Sequence, residues 1–121
     1  MSEQQPAADT SSAFSLDTVH GLLAHHRRRS VLTELEEHGS IALAALADEV
    51  ACREQGASIT EIPEEDVLTV YSSLWHAHIP KLAEAGAVEY DQDMDIVRLS
   101  ENAEQIIHVL HQDAQASEET T

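Results

Sequence analysis

A mainly α-helical domain carrying one small β-hairpin is the fold class this sequence predicts. Three observations predict it. From Leu16 to Leu82 the apolar residues recur mostly at three- and four-residue steps, the period of one helix face. Val88 and Tyr90, then Val97 and Leu99, alternate as strands do. Gly39, Gly56 and Gly86 stand where the helical runs stop, the residue that most readily leaves a helix end.

Taken in order, Leu16, Val19, Leu22 and Leu23 make a short first helix with Ser15 as its N-cap. Val31, Leu32 and Leu35 line a second, ending at Gly39 after His38, and Ser40–Ala42 reads as a small strand. Leu43, Leu46, Ala47, Val50 and Ala51 give a third helix that ends near Gln55-Gly56. A polar connector, Ala57 to Pro63, follows it. Pro63 with Glu64, Glu65 and Asp66 opens a long helix, because proline suits the first turn and acids suit the positive dipole end. Leu68, Tyr71, Leu74/Trp75, His78 and Leu82 then recur along it to Gly86. Pro80 cannot donate to the carbonyl of His76, so a kink or break is expected near residues 76–80. The two strands flank a turn centred on Gln92–Met94, and Ser100 caps a last helix whose apolar face is Ile106, Ile107 and Leu110. The expected layout is a tail over 1–13, a domain over 14–99, a C-terminal helix over 100–112 and a second tail over 113–121. Both tails are expected to be disordered from their polar composition.

Charge is the strongest compositional signal. Asp and Glu number 23 against 6 Lys and Arg, a formal charge of −17. Sixteen of the acids and all six bases fall within residues 14–100, so the acidity belongs to the folded surface. Such a surface repels nucleic acid at ordinary ionic strength. At about 1 M salt the Debye length falls to about 3 Å and that objection weakens. Few aromatics, a single lysine (Lys81) and acids spread along the chain are what a salt-loaded cytoplasm favours, and a halophilic source is expected. Cys52 is the only cysteine, which excludes an intrachain disulfide and a cysteine-rich metal site, and a buried free thiol is expected. No apolar run approaches membrane-spanning length, so a cytoplasmic chain with no membrane partner is expected.

Helix, helix, short strand, helix, long helix, hairpin, helix is the element order of a winged helix-turn-helix with an added C-terminal helix. Two stretches sharpen it. "LLAHHRRRSVLTELEEHG" (22–39) resembles the opening helix of ArsR-type regulators, and "HIPKLAEAGAVEYD" (78–91) resembles the end of their recognition helix. Together with the long insert after the third helix and "YSSLWHAHIPKL", the chain is most similar to small haloarchaeal winged-helix proteins of uncharacterised function. The resemblance covers roughly residues 16–100. It departs from the ArsR pattern in the long Arg53–Pro63 connector and in lacking the cysteine metal-sensing motif.

The resemblance implies a transcriptional-regulator-like module binding double-stranded DNA as a homodimer. The residues that could serve are Arg27, Arg28 and Arg29 on the phosphate backbone, and Thr69, Ser72, Ser73, His76 and Lys81 on the outer face of the long helix. Arg98 would contribute from the wing. The arginines could equally pair with acids such as Glu34, Glu36 and Glu37. Ile106, Ile107 and Leu110 could form the dimer interface. Against DNA stand Glu61, Glu64, Glu65 and Asp66 at the leading end of the helix, and Asp91, Asp93 and Asp95 in the wing. The alternative is a winged-helix protein–protein interaction or dimerisation module that does not bind DNA. Asp91–Asp95 lack the Gly and Glu positions of a calcium loop, and the histidines lack a third partner at ligand spacing, so no metal and no cofactor are expected. Tyr71 and Trp75 are expected in the core, with exposed anchoring at a dimer interface as the lesser alternative. No nucleophile, phosphate loop or zinc-protease spacing occurs, and no enzyme is expected.

Overall fold

Seven local decisions build the domain, and the first is a cap. In the computed structural model, which describes residues 14–119 with side chains to Gln112, Ser15 accepts the Thr18 N–H at 3.0 Å and starts α1 (Leu16–Leu22). The expected 1–13 tail lies outside the described residues. Helix α2 (His26–His38) stops at Gly39, whose φ of 79° a side chain would resist. Strand β1 (Ser40–Ala42) leads into α3 (Leu43–Gln55), which ends in left-handed Gly56.

The polar connector is more ordered than its composition suggests. Ser58 and Glu61 form a capping box around a short 3-10 turn, Ile59–Glu61, and Ile62 is buried behind it. Three acids then open α4 (Glu64–Ser73). The expected irregularity before Pro80 is present as a single π turn, Leu74–His78, in which Ile79 N–H reaches back to the Leu74 carbonyl. The chain continues as α5 (Ile79–Glu84), so 64–84 is one continuous helix carrying an extra residue. Proline has no N–H to offer the preceding turn, and the wider turn accommodates that loss without a break.

Strands β2 (Val88–Asp91) and β3 (Ile96–Leu99) form the wing, and β1 joins them in an antiparallel sheet of order β1-β3-β2. Val97 faces Ile41 on one side and Tyr90 on the other. The wing turn is held by its own aspartates. Asp91 accepts the Met94 N–H, and Asp95, in left-handed conformation at φ 58°, accepts the Tyr90 hydroxyl at 2.6 Å. After a 3-10 turn over Glu101–Ala103, capped by Ser100, α6 runs Glu104–Glu119. It passes through the segment 113–119, where a tail was expected, because DAQASEE contains no helix breaker and is rich in Ala, Gln and Glu.

The core is Leu32, Leu35, Leu43, Leu46, Leu74 and Leu82 with their neighbours, each essentially inaccessible. Every such side chain contributes about 2 kcal/mol by leaving water. Among the described residues no buried side-chain nitrogen or oxygen lacks a partner. Of the residues expected at a dimer interface, Ile106 and Leu110 are buried in the chain's own core and Ile107 packs partly buried beside them. Helix α6 docks on α2, where His111 meets Glu36 at 2.8 Å, because its narrow apolar edge finds cover within the chain.

Candidate interaction face

The helix 64–84 presents three faces. Val70, Leu74, Ile79 and Leu82 point into the core. Thr69, Ser72 and His76 form an exposed ridge away from it, with Ser73 half-buried. Between them lies a stripe of Leu68, Tyr71 and Trp75, spaced by three and four residues. Leu68 is 66% exposed, Trp75 46%, and Tyr71 is half-buried. Trp75, expected inside, continues the exposed row of Leu68 at α-helical spacing, about 100° round the helix from the buried Leu74.

A cavity of about 510 Å³ opens on one flank of this stripe, floored by Ala44 and Ala47 of α3 and walled by Ile59, Ile62, Leu68 and Tyr71. Asp48 and Glu64 stand at its rim. A second, of about 540 Å³, lies between Trp75 and the wing, with Tyr90, Asp91 and Asp93 on its far side. The first cavity is therefore mainly apolar with carboxylates beside it, and the second mixes apolar side chains with Asp91, Gln92 and Asp93 of the wing. Thr69 spends its hydroxyl proton on the Glu65 carbonyl at 2.9 Å, which leaves Ser72 and His76 as the outward polar groups of the ridge.

The arginines do not converge here. Arg28 is buried and donates to the Leu22 carbonyl at 2.8 Å and the Gly21 carbonyl at 3.0 Å, with His78 Nδ1 at 3.2 Å. Arg29 donates to the Leu23 carbonyl at 2.7 Å. The two guanidiniums thus satisfy the Leu22 and Leu23 carbonyls left open at the end of α1, and this offsets their unfavourable place at the start of α2. Arg27 forks onto Glu54, not onto Glu34, Glu36 or Glu37. Arg98 pairs across the sheet with Glu89 at 3.1 Å, and Lys81 stands in a separate cavity beside Phe14, Asp17 and Glu84. Of the residues expected on DNA, only Thr69, Ser72, Ser73 and His76 share one region.

Because arginine only donates, His78 must accept at Nδ1 and carry its proton at Nε2. The His25 ring lies 4.4 Å from it, centre to centre. Burial, then the nearby His25 ring and the Arg28 charge, push His78 from 6.5 down to about 4. His25 is lowered too, first by burial and then by His26. This joint ties α1, α2 and the π turn together, and no sequence spacing announced it. Glu34, Glu37 and His38 also meet, yet Arg53 pairs with both carboxylates and already supplies the cation. Cys52 is half-buried, and burial beside Glu49 and Asp48 raises its thiol above the usual range, which makes it a poor nucleophile.

The sequence signal for the stripe was available. Leu68, Tyr71 and Trp75 repeat one position beyond Val67, Val70 and Leu74, so the helix carries two adjacent apolar rows where packing on one side needs one. Among the described residues no helix is long and apolar enough to cross a membrane. Comparison with curated proteins and with solved structures finds no match. A family model does match, over residues 20–98, from the end of α1 through β3. The chain therefore belongs to the DUF7344 family, a domain of unknown function.

Proposed function

We propose that this is a winged-helix protein–protein interaction module, working in a salt-rich cytoplasm, that recognises its partner through the exposed side of the helix 64–84. The observation that carries this is the apolar stripe Leu68–Tyr71–Trp75 with carboxylates along its borders. A duplex offers such a stripe little apolar surface beyond thymine methyls, and the bordering carboxylates add nothing that grips phosphate. A protein surface offers apolar anchors, and aromatic residues such as Trp and Tyr are the side chains that interfaces favour. The arginines named for DNA are already engaged by the chain's own groups, Arg28 and Arg29 by backbone carbonyls, Arg27 by Glu54 and Arg98 by Glu89.

A second reading, a DNA-binding regulator, draws support from one feature: the outward Ser72–His76 ridge of a helix placed as winged folds place their reading helix. Selection from fragmented source DNA in concentrated potassium chloride separates the two. Enrichment of a sequence motif that Ser72→Ala/His76→Ala loses would install the DNA reading. No enrichment, together with a partner protein crosslinked through position 72 in cells, is the outcome expected here.

A further inference from the structure

We propose that the groove beside α4 is built for a cationic amphipathic helix of a partner protein, one that lays an apolar edge along Leu68, Tyr71 and Trp75 and sets Lys or Arg against the flanking acids. This rests on the interaction-module reading and names the partner's chemistry.

Shape gives the first half. The cavity of about 510 Å³ has alanines for a floor, Ala44 and Ala47, so the surface is recessed where a partner's large side chain would enter. Leu68 and Trp75 lie seven residues apart, about two helical turns or roughly 10 Å along the axis. A partner helix with apolar residues at three- and four-residue steps matches that length, as helix-in-groove recognition requires.

Charge gives the second half and eliminates the competing occupants. Asp48 and Glu64 border the first cavity, Asp91 and Asp93 the second. A second copy docking through the same face would set Asp48, Glu64, Asp91 and Asp93 against their own counterparts at contact range, the one distance at which concentrated salt screens little. The segment 1–13 of the chain has no Lys or Arg and, after Met1, no large apolar side chain, so it meets neither requirement. A partner carrying its own cations meets both.

Trp75 is the only tryptophan and sits on the stripe, so its emission reports occupancy directly. The probe is a synthetic amphipathic peptide of about five helical turns, Leu on one edge and Lys on the remainder. It is titrated into the full chain at roughly 0.15 M and 1 M potassium chloride, to separate charge attraction from apolar docking. A same-composition scramble and a Glu-for-Lys version run beside it. Expected is a blue-shifted Trp75 signal with the Lys amphipath, and at least roughly tenfold weaker binding for both comparison peptides and for Leu68→Glu. Leu68 is exposed, so that variant should keep its helical signal; Ile59→Ser serves if it does not. Equal binding of the scramble, or Leu68→Glu or Ile59→Ser binding as the unaltered chain does, overturns the proposal. A photo-crosslinker at position 72 in cells tells its failure from that of the parent reading. A captured partner whose contact segment lacks cations refutes the cationic helix and leaves the interaction module standing. No protein crosslink, with DNA selected instead, refutes both.

Discussion

Replacing Arg28 by alanine should be the most damaging single change among the three consecutive arginines, and the structure fixes the order of magnitude. The Leu22 carbonyl is buried at the end of α1 and accepts a charge-assisted bond at 2.8 Å, a kind of interaction that contributes about 1.5–3 kcal/mol. Gly21 is exposed and its carbonyl keeps the Ala24 N–H, so losing this second bond costs about 0.5 kcal/mol. The bond to His78 is lost as well, while removing a desolvated cation returns something, in keeping with the lowered Arg28 pKa that burial causes. The balance is about 3 kcal/mol, or roughly 15 °C in Tm for a domain of this size. Arg29→Ala, with one part-buried carbonyl bond, should cost about 1 kcal/mol. Arg27→Ala, which gives up a largely shielded ion pair with Glu54, should cost about 1 kcal/mol or less. Thermal and urea melts of the three variants, with Arg28→Met to retain the apolar stem, decide the matter. A loss below about 1 kcal/mol for Arg28→Ala, or three equal losses, would refute the account of this arginine as the clasp between α1 and the π turn.

Other outcomes follow from the same coordinates. His78 binds its proton near pH 4 when folded and near 6.5 when unfolded, so the unfolded chain holds more protons in between. Stability should therefore be full above about pH 6.5, fall as pH drops towards 4 and level off below. The contribution is about 3 kcal/mol at most, and His78→Asn should flatten that slope in a series of urea melts. The Tyr90 hydroxyl, bonded to Asp95, is raised to about 12, so its stabilisation holds below pH 10 and is lost as pH climbs towards 12. A phenolate absorbance step near pH 12 should vanish in Tyr90→Phe, which should also melt lower by about 1–2 kcal/mol. Ile106→Ala should cost about 3 kcal/mol by emptying a core site, measurable in dilute protein. A concentration-dependent Tm for the unaltered chain, abolished by that change, would instead assign Ile106 to an interface.

Local chemistry made most of the fold readable. Ser15, Gly39, Pro63 and Ser100 each act where their residue type acts in any chain, and the strand alternation of Val88–Tyr90 and Val97–Leu99 has one geometric meaning. Ser58 and Glu61 offered a cap signal too, hidden because the turn they start is one turn long. The face was less legible. Whether Arg28 meets a phosphate or the Leu22 carbonyl depends on where α1 lies against α2, a tertiary fact that a run of three arginines does not encode. Trp75 was assigned to the core because two adjacent apolar rows, Val67–Val70–Leu74 and Leu68–Tyr71–Trp75, were read as one stripe. Ile106 and Leu110 looked available for a partner because an isolated helix always leaves its apolar edge unexplained until its neighbours are known.

That extra residue at Leu74–His78 divides the labour of the helix. An inserted position rotates everything before it by roughly 100° relative to everything after it. The half from Ile79 onward is held to the core by the buried Ile79 and Leu82. The half before it is turned so that a second row of apolar side chains looks out. Deleting one residue there would leave the composition nearly unchanged and swing the row away from α3 and the wing together. What the domain shows the outside world is thus set by a single count of residues, and substitutions at the exposed Leu68 and Trp75 can retune it without reopening the core.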